Sequence, residues 1–208
     1  MSSGIVLPLN RFRPTTSAPL FVFIDLQKEF VLEGRPLQIR SAESALANCR
    51  RLLHFARAER FPIAHARLSG AAFHRAANGA EWIDEFRPHG SEMVFERVGP
   101  SCYSSSMFHR MMDEGGGEAA VIAGLAASTS CLTTLIDARK AGHHAKFVSD
   151  ASSSNAGLPG HEPSVHEAAV HILEQFVEVV TTDDVIAQLK SRAVVLVEEG
   201  ESDGRIAP

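Results

Sequence analysis

With 208 residues, 45% of them hydrophobic and 22% charged, the chain suits a single α/β domain with a substantial core. A formal charge of -5, a pI near 6.0 and 20 scattered Lys and Arg argue against a nucleic-acid partner. Three cysteines, Cys49, Cys102 and Cys131, cannot all pair and form no C-x-x-C, so neither a disulfide framework nor a structural zinc site is expected and a reducing cytoplasm is.

Residues 1–18 read as a Ser-, Thr- and Pro-rich arm without core periodicity or a long apolar h-region. "LFVFID" is a continuous apolar run closed by Asp25, the pattern of a strand covered on both faces. From Ser41 to Arg60, Ala42, Ala45, Leu46, Cys49, Leu52, Leu53 and Ala56 recur at helical spacing, with Ser41 as the expected N-cap. Cys49 lies on that apolar stripe and reads as a packed, inert thiol. "FPIAHAR" is the next strand, followed by a long connection from Leu68 to Gly90.

"EMVFER" is a third strand, "SCYSSSMFHRMMDE" a short helix, and "AAVIAG" a fourth strand. The run from Cys131 to Ala141 reads as a helix that Gly142 stops, and "HAKFVSDA" as a fifth strand. Pro163 opens a helix carrying Val165, Ala168, Ala169, Ile172, Leu173 and Phe176; "VEVVTT" and a helix from about Thr182 complete the series. The folded domain is thus expected over 19–190 and an extension over 191–208. There "AVVLVEEG" reads as an added edge strand or a partner-binding arm, and "ESDGRIAP" as frayed. No apolar run reaches membrane-spanning length, so no membrane partner is expected.

Strands alternating with helices imply a mostly parallel sheet, whose sites form beyond the carboxyl ends of its strands. Asp25, Arg97 and Cys131 all follow strands. A cysteine attacks as thiolate and is activated at a helix N-terminus or beside a cation. A carboxylate such as Asp25 can take the thiol proton and later return it to a leaving amine. Backbone amides near Ser130 and Cys131 can hold the oxyanion of a tetrahedral intermediate. These groups suit acyl transfer at a carbon–nitrogen bond. The plainer alternatives are a packed thiol, a polar strand end and a surface ion pair.

The segment "FIDLQKEF", with Asp25, Gln27 and Phe30, resembles the D-x-Q-x-x-F opening of the isochorismatase-like cysteine hydrolases, which include nicotinamidases and N-carbamoylsarcosine amidase. "ERVGPSCYSSSMF", with Ser101, Tyr103, Ser106 and Phe108, is similar to a second segment of that family. "VIAGLAASTSCLTTLIDARKAGHHAKFVSDASSS" is similar to its strand–cysteine–helix–strand block, including Asp137, Ala138, Gly142, Asp150 and Ala151. The resemblance runs from about Pro19 to Leu189. It implies a three-layer α/β/α fold around a mostly parallel sheet, a homodimer or homotetramer, and a small-molecule substrate. It also implies an aspartate–lysine–cysteine triad acting through a thioester, with a cis peptide upstream of the cysteine, here within Ala126, Ala127 and Ser128.

Two departures stand out. The lysine position holds Arg97, which cannot be tuned to lose its proton. A tight bidentate pair would weaken Asp25 as a base. Arg97 either binds a substrate carboxylate or keeps a positive charge without changing the reaction. Second, Gly124 stands one position further from Cys131 than is usual in the family, which lengthens the loop that shapes the oxyanion hole.

Expected substrate-binding residues are Gln27, Phe30, Trp82 and Tyr103; Trp82, the only tryptophan, reads as a pocket wall or a packing residue. Nicotinamidase-like members hold a metal through D-x-H and a later histidine, but here His65 has no aspartate two residues before it. His65, His74 and His89 match no standard zinc spacing, and "GGG" at Gly115–Gly117 lacks a nucleotide-loop order. No metal and no cofactor are therefore expected. The resulting reading is hydrolysis of a small amide, carbamoyl or ureido compound. The alternatives are vinyl-ether cleavage of an isochorismate-like substrate, which needs the acid but no thiol, and a non-catalytic binding protein.

Overall fold

The computed structural model describes residues 18–69, 79–114, 119–157 and 160–202, with side chains through 192. Six strands form one sheet in the order β3-β2-β1-β4-β5-β6, all neighbours parallel. They are β1 Phe21–Ile24, β2 Ile63–Leu68, β3 Met93–Arg97, β4 Ala120–Gly124, β5 Ala145–Ser152 and β6 Glu178–Val180. The helices are α1 Glu43–Ala58, α2 Ser106–Glu114, α3 Leu132–Lys140, α4 Glu162–Leu173 and α5 Thr182–Ser202.

The continuous apolar run of β1 is explained by its central place between β2 and β4, where all four residues are buried. Side chains alternate across the pleat. Phe21 and Phe23 face one core with α1 residues Cys49, Leu52, Leu53 and Ala56 and α5 residue Val185. Val22 and Ile24 face the other, with Phe108 of α2, Leu135 and Ala138 of α3 and Leu173 of α4. Each large apolar side chain fully buried in these layers contributes about 1.5–3 kcal/mol, which sets the three-layer arrangement ahead of local propensity. Strand order turns back at the β1–β4 junction, the topological switch where such sheets open a crevice.

Helix boundaries follow local chemistry, with corrections. α1 starts later than expected: Leu46 N–H bonds to Ala42 O, Ala42 takes the N-cap place without a side-chain bond, and Ser41 is exposed. α3 ends as expected, since Gly142 has φ 79°, Gly142 N–H reaches Arg139 O and His143 N–H reaches Ala138 O. On α4 only the inner part of the expected stripe is covered: Ala169 and Leu173 are buried, whereas Ile172 and Phe176 are exposed. "AVVLVEEG" is not an edge strand; its backbone continues α5 to Ser202. The arm over 1–17, Phe73 and His74, the GGG turn and the end "SDGRIAP", apart from Ser202, lie outside the described residues.

Candidate active site

Three chain segments meet beyond the carboxyl ends of β1, β3 and β4. Asp25, directly after β1, has φ 57°, a left-handed conformation that aspartate adopts more readily than most side chains. Its N–H bonds to Ala66 O, and its carbonyl accepts from Gln27 N–H at 2.7 Å, so the turn is fixed on both sides. Gly124 closes β4 at φ 130°, with Ile24 as its cross-strand partner. A Cβ at Gly124 would sit 2.1 Å from Ile24 O, so only glycine lets β4 approach β1 here.

The Asp25 carboxylate and the Arg97 guanidinium form a fully buried ion pair through Oδ2 and Nη2. Ser130 Oγ donates to the same Oδ2 at 2.7 Å and accepts from Arg97 Nη2 at 2.9 Å. Arg97 Nη1 donates to Gly99 O at 2.5 Å and Pro100 O at 2.8 Å. Guanidinium has five N–H donors, and these contacts engage the four on its two terminal nitrogens. Nε is buried without a hydrogen-bond partner among the described residues. The bidentate fork needed for a substrate carboxylate is therefore already occupied, which favours the fixed-charge role for Arg97.

The contact is also not bidentate toward Asp25, because Oδ1 is buried and has no partner among the described residues. Burial raises the Asp25 carboxyl above its ordinary value; the Arg97 charge and the Ser130 and Arg97 hydrogen bonds oppose this without cancelling it. The concern that arginine would leave a weak base is thus met by desolvation.

Cys131 is wholly buried, with Sγ 3.7 Å from Leu125 O and 3.9 Å from Gly124 O. It ends a π-helical turn, Ala127–Cys131, and the α-helix begins only at Leu132. Burial, then the nearby Asp25 charge, push its thiol well up, so the resting sulfur is protonated and not the thiolate expected from a helix terminus. Burial likewise pushes Cys102 up to about 12 and Cys49 higher still.

Two expectations for the adjoining loop are corrected. The peptide bonds across Ala126, Ala127 and Ser128 are trans, and the chain reverses instead through Ala126 at φ 57°, ψ 48°. The amides of Ser130 and Cys131 do not stand open for an oxyanion: with Thr129 N–H they converge on Ala126 O, at 2.8, 3.4 and 3.0 Å respectively. The left-handed residue turns its carbonyl back over the first turn, where unpaired helix amides attract any acceptor.

The expected substrate-binding residues do not share one role. Gln27 is buried, with Nε2 on Leu68 O and Ala80 O, both at 3.2 Å, and Oε1 accepting from Leu68 N–H at 2.9 Å. Its amide group staples β2 to the segment around Trp82, a structural role. Phe30 is a core side chain, 2% exposed. Trp82 bridges to Gln27 and packs on β2, edge-on to His65 and under Arg67. The Tyr103 hydroxyl bonds to His143 Nδ1 at 2.7 Å and its ring stacks on that imidazole. His143 lies past the far end of α3, roughly 13 Å along the helix axis from Cys131.

The residues do not fit the nicotinamidase-type metal. The aspartate position is Ile63, and His65 Nε2 pairs with Glu92 Oε2 at 2.8 Å. No three His, Cys, Asp or Glu among the described residues are placed to hold a metal ion. Two features escaped the sequence reading: the Ser130 hydroxyl, and the partly buried Arg57–Glu92–His65 network. Neither has a spacing signature, because both join residues far apart in the chain.

The family model for the isochorismatase domain matches residues 19–184. Among solved structures, an isochorismatase from Pseudomonas putida KT2440 is 25% identical with a TM-score of 0.73, covering 84% of this chain and 94% of that one. A cysteine hydrolase from Pseudomonas syringae pv. phaseolicola 1448A is 18% identical with a TM-score of 0.72, covering 84% and 93%. An N-carbamoylsarcosine amidase from Thermoplasma acidophilum is 20% identical with a TM-score of 0.64, covering 80% and 97%. No curated protein matches the chain.

Proposed function

The chain belongs to the isochorismatase family of hydrolases, and on that premise we propose that it cleaves the C–N bond of a small amide, carbamoyl or ureido compound through a Cys131 thioester. The observation that carries this reading is the buried Asp25–Arg97 pair next to Cys131, where the strand order reverses between β1 and β4. Cys131 sulfur attacks the carbonyl carbon as its proton passes to Asp25. The tetrahedral intermediate collapses, the C–N bond breaks, and Asp25 returns the proton to the departing nitrogen. Water then adds to the thioester, giving a proton to Asp25, and the C–S bond breaks as sulfur recovers its proton. Arg97 supplies a fixed positive charge that keeps the carboxylate in place.

The neutral thiol suits this sequence, because attack and proton transfer occur together and no buried thiolate has to be maintained beforehand. The amides of Thr129, Ser130 and Cys131 already hold one carbonyl oxygen, Ala126 O. The oxyanion takes that place when Ala126 O moves aside.

The test is ammonia release from a panel of small amides, ureas and carbamoyl compounds, with intact-mass detection of the acyl-enzyme. Cys131→Ala should abolish turnover and the adduct. One observation favours a second reading, vinyl-ether hydrolysis: the Asp25 carboxyl is raised, as an acid catalyst requires, while the sulfur is fully packed. Unchanged turnover in Cys131→Ala on a vinyl-ether substrate would establish that reading and end the thioester.

A further inference from the structure

We propose that the Ser130 hydroxyl is a positioning residue: with Arg97 it holds Asp25 Oδ2 and so assigns Oδ1 to receive the Cys131 proton. This rests on Asp25 serving Cys131 as its base, the core of the reading above.

The geometry is a closed ring of three buried groups. Arg97 Nη2 donates to both Asp25 Oδ2 and Ser130 Oγ, and Ser130 Oγ donates to Asp25 Oδ2. Arg97 is 1%, Ser130 4% and Asp25 0% exposed. A serine hydroxyl has one hydrogen, and here it goes to Oδ2. Oδ1, in the same carboxylate, has no partner among the described residues. A buried acceptor left without a donor is costly, so its persistence in the carboxylate whose charge acts on Cys131 marks the atom at which the reaction's proton arrives.

A second tether is needed because of arginine. The aspartate χ2 torsion is broad and roughly two-fold, so a carboxylate held at one oxygen by one donor can turn about Cβ–Cγ and exchange its oxygens. Arg97 places one nitrogen on Oδ2 and anchors the other on the Gly99 and Pro100 carbonyls. Ser130 donates from a second direction, and two donors on one oxygen fix the plane. Ser130 is also the residue before Cys131, and the two share a planar peptide bond. The group that orients the base and the group that gives it a proton therefore move as one unit of the Ala127–Cys131 turn.

The titratable and charged groups facing Asp25 are Arg97 at the end of β3, Cys102 in the turn beyond it, and Cys131 in the turn after β4. From β2 the Leu68 amide, which bonds to Gln27 Oε1, also acts on Asp25 and lowers its carboxyl. Arginine stays charged, and burial lifts both thiols far above neutrality. An acid limb in the reactivity of Cys131 therefore belongs to Asp25. The Ser130 hydrogen bond favours the charged carboxylate, so its removal raises the carboxyl and moves that limb to higher pH.

The test is the pH dependence of Cys131 carboxamidomethylation by iodoacetamide, read site by site by peptide mass mapping, which needs no substrate. Sulfur displaces iodide, forming S–C as C–I breaks, and the thiol proton passes to Asp25 and then to solvent. Ser130→Ala should move the acid limb up by about one unit, equivalent to about a tenfold slower reaction on its lower side. Ser130→Thr, which keeps the hydroxyl, should restore the native limb, and Asp25→Asn should flatten it. An unmoved limb in Ser130→Ala, or a Ser130→Thr protein no better than Ser130→Ala at equal urea midpoints, overturns the proposal. So does a limb that survives in Asp25→Asn. Because the readout is alkylation, a shifted limb without ammonia release from any amide would sustain this role while removing the C–N reading. Ammonia release with an unmoved limb would do the opposite.

Discussion

Replacing Arg97 by methionine keeps much of its volume but removes every donor that faces Asp25 and Ser130. Of the bonds lost, those to the Gly99 and Pro100 carbonyls cost little, because Pro100 is exposed and Gly99 partly so, and water replaces the guanidinium. The loss that matters is the partner of a carboxylate with 0% exposure. Removing one member of a buried pair costs about 3–5 kcal/mol, because the remaining charge stays uncompensated. For a chain of this size that corresponds to a fall in Tm of roughly 6–20 °C. Urea denaturation at pH 7 should show a lower midpoint with an unchanged m-value. The loss should also depend on pH with a definite sign. The Asp25 carboxyl is already raised in the folded protein, and without arginine it rises further. The variant's penalty is therefore fully present above that raised value and shrinks as pH falls through it, since the protonated carboxyl needs no cation. Adding Asp25→Asn should recover part of the loss at pH 7. A deficit below about 1 kcal/mol at pH 7, or one that grows as pH is lowered, would refute the claim that Asp25 is a buried anion held by Arg97.

Other expectations concern separate parts of the molecule. Gly124→Ala places a methyl 2.1 Å from a backbone oxygen at φ 130°, so the protein should not accumulate in soluble form; a native circular dichroism spectrum and Tm would contradict the β1–β4 approach. Burial would raise the Glu92 carboxyl, but Arg57, the His89 amide and His65 together hold it at about 2. Its stabilisation is thus present above the ordinary 4.5 and lost as pH falls from there toward 2. After discounting for solvent screening, Glu92→Gln should cost about 1–2 kcal/mol at pH 7 in urea titrations, with much of the difference gone near pH 3. A reactive acyl probe should label Cys131 and leave Cys49 and Cys102 untouched, because the Cys49 thiol is tied to Ala151 O and Asp25 is bound to the turn that carries Cys131, through Ser130; mapping label to Cys49 would remove the distinction. Gln27→Leu should cost about 1–3 kcal/mol by leaving the Leu68 N–H and the Leu68 and Ala80 carbonyls unpaired, with a larger effect on stability than on KM.

Much of this protein is written in local pattern. The unbroken apolar run Phe21–Ile24 could only be a strand covered on both faces, and the spacing of Ala45, Cys49, Leu52, Leu53 and Ala56 could only face a core as a helix. Parallel strands with helical crossovers then fix where Asp25, Arg97 and Cys131 can emerge, since each lies at or beyond the carboxyl end of a strand. Periodicity reports burial along one element, and chemistry at strand ends follows from topology. Periodicity is silent on which way a carbonyl points or which hydroxyl meets which carboxylate. The turn of Ala126 that directs its oxygen onto the Thr129, Ser130 and Cys131 amides depends on a single backbone torsion. The same holds for Gln27 and Tyr103, whose motif positions suggested a pocket and whose polar atoms found partners on β2 and beyond α3. The Ser130–Asp25–Arg97 ring joins residues 105 and 72 positions from Asp25, and the acceptor that completes it exists only after β1, β3 and β4 are side by side. Hydrophobic pattern is short-ranged in sequence and could be read there; hydrogen-bond pairing inside a dry site is decided by distances of a few tenths of an ångström, which only the packed chain sets.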